Sequence, residues 1–232
     1  NGRVMAGAIA KKLLTHIGKT KIIGYTRRIH TLEINDSRLN YDEIEKNSLR
    51  CPDPVMAKKM TAFVLAQKNS GDSVGGVVEI VVKKPPVGLG EPVFDKLEAD
   101  LAKALMSIGT VKGVEIGKGF GATEMLGSEH NDTILAAGKK PGQTLKTAKN
   151  LAGGIQGGIS TGEDIVIRIA VKPTSSIPKT QHTVTTTGKK VDVSVAGRHD
   201  ACILPRLIPV AESMVAIVLA DHYLRQLTTR LR

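Results

Sequence analysis

An α+β fold is predicted for this chain by three observations. Apolar residues recur at helical spacing in four separate segments. Residues 164–171 alternate apolar and polar in the manner of a strand. Two Thr- and Val-rich runs, residues 183–187 and 191–195, flank Gly188-Lys189 as the arms of a hairpin. Taking the elements in order, Val4, Ala8, Ile9, Leu13 and Ile17 give a first helix that ends at Gly18. Residues 21–34 then read as one strand, with Ile23, Tyr25, Ile29 and Leu32 spaced among Arg and His. Pro52 and Pro54 open a second helix, where proline is tolerated because first-turn amides lack partners; its stripe is Val55, Met56, Met60, Phe63 and Val64.

Residues 69–73 are a turn and 77–82 a strand, closed by Lys83-Lys84-Pro85-Pro86. A loop at 87–90 leads to a third proline-started helix. It buries Phe94, Leu97, Leu101, Ala104 and Leu105 and turns Asp95, Glu98 and Asp100 mostly outward. Residues 111–116 form a short strand. The Gly117-Lys118-Gly119-Phe120-Gly121 that follows is half a dinucleotide fingerprint without the glycine that opens a helix, and it reads as a plain turn. Residues 126–150 are polar and are expected to be a long surface loop. The pairs Gly153-Gly154 and Gly157-Gly158 exclude an ordinary helix interior. In the strand at 164–171, Ile165, Ile167, Ile169 and Val171 share a face. The last element runs from Pro209 to about Gln226 as a helix apolar nearly all round over residues 210–219, the pattern of a helix buried on several sides. Neither a repeat nor a linker is visible, so residues 1–232 are expected to form a single domain.

Composition narrows the function classes. Hydrophobic residues are 41% and aromatics 3% with no Trp, so the core must be aliphatic. The 24 glycines exceed the usual ~7%, which points to tight turns or to backbone held close to a ligand. A formal charge of +11 fits a lysine-rich solvated surface, a nucleic-acid surface or a pocket for phosphorylated small molecules. Stacking on bases needs exposed aromatics, and the basic residues are scattered rather than clustered; composition therefore favours small anions over nucleic acid. Cys51 and Cys202 are far apart and in no metal-ligand spacing, which supports neither a disulfide framework nor a zinc site and makes a reducing compartment the default. No apolar stretch reaches the ~18 residues of a membrane span, residues 214–220 being the best.

Two stretches carry chemistry. Lys172-Pro173-Thr174-Ser175-Ser176, directly after the clearest strand, sets a cation, hydroxyls and loop amides at a strand end. That suits an anion or a flavin edge, and equally a strand cap with a Ser/Thr turn. Gly197-Arg198-His199-Asp200 lines up a guanidinium able to clamp a carboxylate or phosphate, an imidazole, and a carboxylate able to orient it or move a proton; a helix-entry loop with an internal salt bridge would look the same.

Arg198-His199-Asp200-Ala201-Cys202 followed by Pro209-Val210-Ala211-Glu212-Ser213-Met214 closely resembles the C-terminal signature of chorismate synthases. The run from Gly153 through Gly158 to Gly162 is similar to a further hallmark of that family, and so is Lys172-Pro173-Thr174-Ser175-Ser176. Gly71-Asp72-Ser73-Val74-Gly75-Gly76, Gly88-Leu89-Gly90-Glu91-Pro92-Val93-Phe94, Val111-Lys112-Gly113-Val114-Glu115-Ile116-Gly117 and the opening Arg3-Val4-Met5-Ala6-Gly7-Ala8-Ile9-Ala10 match the family in the right order along essentially the whole chain.

The resemblance implies a β-α-β sandwich, with long helices between two mostly antiparallel sheets, in a homotetramer. It implies a lyase that converts 5-enolpyruvylshikimate 3-phosphate to chorismate and phosphate by 1,4-anti elimination, the closing step of the shikimate pathway to aromatic amino acids. Reduced FMN is required although the reaction has no net redox change. Some relatives reduce their own flavin with NADPH, although nothing in this chain marks a nicotinamide site. By motif, Gly109, Thr110, Gly157, Lys172, Pro173, Thr174, Ser175, Ser176 and Arg198 correspond to cofactor contacts. Arg198 and Asp200 correspond to substrate contacts, and Asp200 to the carboxylate that assists proton removal. His199 lies within the motif with a weaker claim, and no metal is implied. Many relatives carry Asn-Ala at the Gly109-Thr110 pair, and Pro where this chain has Ala201. The family's N-terminal Gly-Glu-Ser-His-Gly motif, a second active-site histidine and several phosphate-binding arginines correspond to sequence upstream of Arg3. The expectation is therefore a C-terminal two thirds or so of the molecule, which alone binds flavin poorly and turns over nothing. The implied partners are a phosphorylated small molecule and other copies of the chain, with no nucleic acid and no membrane, in the cytoplasm or in a plastid. The rival readings are a basic α+β module for RNA or another polyanion, whose affinity would fall steeply with salt, and a different flavoenzyme such as an NAD(P)H-flavin reductase.

Overall fold

A computed structural model describes residues 1–135 and 146–229. Helix α1 (Gly2–Gly18) ends where Lys19 takes a left-handed φ of 56° and returns its N–H to the Leu14 and Thr15 carbonyls. Its buried stripe is Gly7, Ala10 and Leu14, not the expected Val4–Ile9 side, and Ile9 is 74% exposed. Apolar spacing located the helix, but a small residue set its face: a Cβ on Gly7 would overlap the Cβ of Ser213 in the C-terminal helix. The run 21–34 is a hairpin rather than one strand. β1 (Lys21–Ile29) pairs antiparallel with β2 (Leu32–Glu33), Arg28 opposite Glu33, and the chain reverses at His30, whose φ is 51°. Two short 3₁₀ turns follow, each opened by an Asn side chain that accepts a backbone N–H: Asn35 from Ser37 and Asn40 from Asp42.

Helix α2 (Pro54–Asn69) begins at the second of the two prolines, capped by the fully buried Asp53, and buries Ala57 and Met60 while Val55 stays exposed. Strand β3 (Gly76–Lys83) is buried along most of its length. Helix α3 (Leu97–Met106) starts later than expected, so Phe94 falls outside it and is 91% exposed, whereas Leu97, Leu101, Ala104 and Leu105 form the buried face as expected. Strand β4 (Val111–Ile116) ends in a turn at Gly117-Lys118 that runs on into a 3₁₀ helix over Gly119–Glu124, where the sequence suggested a plain turn.

The expected loop at 126–150 contains a one-turn helix α4 (Gly127–His130) and the antiparallel pair β5 (Ile134–Leu135) and β6 (Lys146–Thr147); its residues 136–145 lie outside the described residues. Strands β7 (Ile155–Gln156) and β8 (Ile159–Ser160) close on Gly157-Gly158, both at positive φ (59° and 92°), the tight turn that only such a pair allows easily. Strand β9 (Ile165–Val171) buries Ile165, Ile167, Ile169 and Val171 as its alternation predicts. β10 (Gln181–Val184) and β11 (Lys190–Val193) form the expected hairpin, but with both arms shifted toward the N-terminus and residues 185–189 as the turn. Helix α5 (Leu204–Thr228) starts earlier than the sequence suggested, with Pro209 inside it. By length and hydropathy α5 could cross a membrane, although it contains no unbroken apolar stretch of that length, and 56% of that window is buried within the fold.

The main sheet has the order β2-β1-β3-β9-β4. With α1, α3 and α5 it makes the α+β class read from the sequence. The chain divides into two compact units. The first comprises Asn1–Gly24, Glu79–Ile169 and Ile208–Arg232, and buries Leu14, Ile80, Leu101, Leu105, Ile167 and Leu219. The second comprises Tyr25–Val78 and Ala170–Leu207, and buries Tyr25, Ile29, Leu49, Met60, Val78 and Leu204.

Candidate active site

The second unit gathers three loops that the sequence had marked separately: the turn at 71–76 after α2, the run 172–176 after β9, and residues 197–202 before α5. Backbone contacts join them. The Val74 N–H donates to the Ala201 carbonyl at 2.8 Å, and Val74 forms a parallel bridge with Cys202. The Ser73 hydroxyl donates to the Thr174 carbonyl at 2.6 Å. Gly75 lies so close to the end of β9 that a Cβ there would overlap the Val171 carbonyl oxygen.

A cavity of about 700 Å³ opens beside these loops, within the size range of small-molecule sites. Its lining includes the charged side chains of Lys68, Asp72, Arg198, Asp200 and Arg206 and the imidazole of His199. Asp200 is held by Arg206 from the first turn of α5, Oδ2 to NH1 2.8 Å. It orients neither Arg198 nor His199: the His199 Nε2 instead meets the Val195 carbonyl at 3.1 Å, within its own loop. Among the described residues Asp200 is thus paired outside the tetrapeptide, to α5, rather than in the salt bridge internal to the loop that the sequence left open. Arg198 is exposed and has no ion-pair partner among the described residues, which leaves its fork available to an anion. Asp72, across the lining, accepts the Ser73 N–H and pairs with Lys179 at 3.1 Å. These contacts, the Ser73 amide first, hold its carboxyl below the usual carboxylate range. Burial pushes the Cys202 thiol up to about 11, which keeps it protonated and unreactive at neutral pH.

Of the residues singled out in the sequence, Arg198 and Asp200 line this cavity, and Lys172, Pro173, Thr174, Ser175 and Ser176 do not; Ile177 and Pro178, just beyond them, do. Thr174 is distinctive in another way, since its hydroxyl is buried with no hydrogen-bond partner among the described residues. Gly109, Thr110 and Gly157 belong to the first unit. There Thr110 shows the same orphaned hydroxyl and also a φ of 78°, a left-handed conformation that a β-branched residue rarely adopts. Gly109 and Gly157 have nothing within 4 Å of where a Cβ would stand, so their backbone is open to approach. Within the second unit, the buried Thr174 hydroxyl and the cations Lys172 and Arg198 suit a group that carries a phosphate or carboxylate. Sequence reading missed Arg206, Lys68 and the Asp72–Lys179 pair. Only Asp72 carried a signal, as part of a glycine-rich turn, and Arg206 became visible once α5 was seen to begin at Leu204.

Fold and site together define a class: an α+β protein with a polar pocket suited to a small anionic molecule. Comparison with known proteins makes this specific. The family model for chorismate synthase matches residues 1–224. Chorismate synthase from Prochlorococcus marinus (strain NATL1A) is 55% identical over 227 residues, covering 97% of this chain and 62% of that protein. The one from Synechococcus sp. (strain RCC307) is 53% identical over the same coverage. A crystal structure of chorismate synthase aligns with a TM-score of 0.78 at 32% identity, over 97% of this chain and 63% of that one. The chain belongs to the chorismate synthase family and spans 62% of the length of the curated relatives it matches.

Proposed function

We propose that this chain is part of a lyase that converts 5-enolpyruvylshikimate 3-phosphate to chorismate and phosphate, using reduced FMN. The observation that carries the reading is the family match across residues 1–224, together with a pocket into which that family's Arg-His-Asp signature projects Arg198 and Asp200. A 1,4-elimination that expels phosphate needs its anionic groups neutralised, its ring held against the cofactor, and a group to receive the departing ring proton. Arg198 is placed to clamp a carboxylate or phosphate, and Asp200, kept in position by Arg206, to assist proton removal. By the family's motifs, the Lys172 side chain and the hydroxyls of Thr174, Ser175 and Ser176 would be flavin contacts, and so, by the same correspondence, would the backbone at Gly109, Thr110 and Gly157. When bound, reduced FMN supplies electron density that helps phosphate leave, and it is recovered unchanged.

We read residues 1–232 as one domain, because each unit is assembled from segments distant in sequence. The active form is taken to be a homotetramer in the cytoplasm, with no nucleic-acid or membrane partner. The test is chorismate formation under anaerobic conditions with chemically reduced FMN. Equal release of phosphate and chorismate that depends on reduced flavin is expected; a folded full-length protein that releases neither would overturn the reading.

A further inference from the structure

The turn at 71–76 holds no residue assigned to the chemistry, yet its side chains and backbone meet both loops that do. Asp72 pairs with Lys179, just beyond the 172–176 run; Ser73 binds the Thr174 carbonyl; Val74 joins Ala201 and Cys202. Gly75 packs under Pro173, with its would-be Cβ 2.9 Å from the Pro173 Cδ. One short turn thus sets the register between two loops that lie about a hundred residues further along the chain.

We infer that Ser73 is a positioning residue for the 172–176 loop. Its hydroxyl is half-buried, and among the described residues the bond to the Thr174 carbonyl is the one side-chain hydrogen bond that ties this loop to the turn. Capturing that carbonyl fixes the peptide plane at Thr174 while leaving the Thr174 hydroxyl buried and unpartnered, the arrangement of a group reserved for a ligand. Asp72–Lys179 pins the far end of the run, and Gly75 supports its start. Ser73 is therefore the one hydroxyl holding the middle. The inference rests on the proposed role of 172–176 as flavin contacts, and its test separates the two.

Ser73→Ala, Ser73→Thr and the unaltered full-length protein are compared by amide hydrogen exchange, thermal unfolding and titration with reduced FMN. In Ser73→Ala, exchange is expected to accelerate in the peptide covering 172–176 while α3 and β9 keep their protection. The FMN dissociation constant should rise roughly tenfold, the value of one hydrogen bond of this kind. Ser73→Thr, which keeps the hydroxyl, should recover both. Unchanged exchange at 172–176, or acceleration spread evenly through the protein with a matching loss of thermal stability, overturns the positioning role. If exchange responds at 172–176 but the unaltered protein binds no FMN, the positioning role stands and the flavin assignment of that loop falls.

Discussion

Asp53 is fully buried at the start of α2, where its carboxylate accepts the amide protons of Val55 and Met56 and faces the Arg38 guanidinium at 3.1 Å. Burial alone would push its pKa up. The bonds from Arg38 and from the Asn35 and Met56 amides outweigh that, and it lies below the usual carboxylate range. A carboxyl depressed in the folded state adds stability that is present above its unfolded pKa of about 3.9, and that is lost as pH falls through the folded value. Thermal melting of the native protein should therefore drop more steeply below about pH 4 than that of Asp53→Asn. At neutral pH, Asp53→Ala should cost about 3 kcal/mol in urea unfolding, from the lost cap and the stranded Arg38. At the site, Asp200→Asn is expected to lower turnover by about a hundredfold or more with an unchanged melting temperature. Arg206→Ala should lower it about tenfold through misplacement of Asp200, with partial recovery in Arg206→Lys. If steady-state kinetics show Arg206→Ala changing only KM, the ion pair does not position the carboxylate.

Between α1 and α5, packing rather than apolar spacing chose the contact face. Helix α1 could have buried Val4 and Ile9, the residues its sequence advertises, but α5 approaches it at Gly7, where Ser213 fills the space a side chain would take. Glu212, one residue earlier on α5, then reaches Lys11 of α1 at 2.6 Å and the Gly24 N–H of β1 at 2.7 Å. Such a crossing tolerates no enlargement: Gly7→Leu should destabilise the protein by about 3 kcal/mol or prevent soluble expression, while Ile9→Ser on the exposed side should cost under about 0.5 kcal/mol. Equal effects in chemical denaturation would mean that α1 is not held through Gly7. Helix α5 itself reads as apolar nearly all round because its burial is extensive, with Ala211, Val215, Ala216 and Leu219 all shielded.

For the molecule as a whole, the charge of +11 admits two readings that differ in their salt dependence. A site for small phosphorylated molecules neutralises few charges. The dissociation constant for reduced FMN should then rise by no more than about tenfold between 50 and 200 mM salt, against ~10³-fold or more for a surface engaging six or more phosphates of a polyanion. A steep salt response with RNA and no binding of flavin would favour the polyanion module instead.

The sequence by itself determined the α+β class, the strand at β9, the glycine hairpin at 157–158, the inward face of α3 and the family. Each of these rests on local periodicity, on a backbone conformation open mainly to glycine, or on ordered motifs, all written in contiguous residues. It also marked Arg198 and Asp200, because their motif is contiguous. Tertiary structure alone decided that Arg206 rather than Arg198 or His199 holds Asp200, that Ser73 reaches Thr174, that Gly7 sets the face of α1, and that residues 21–34 fold back at His30. In the first three, residues remote in sequence or on separate elements are brought together by packing and directed hydrogen bonds, and no spacing along the chain encodes those. In the last, a left-handed residue other than glycine interrupts an alternation that by itself reads as continuous.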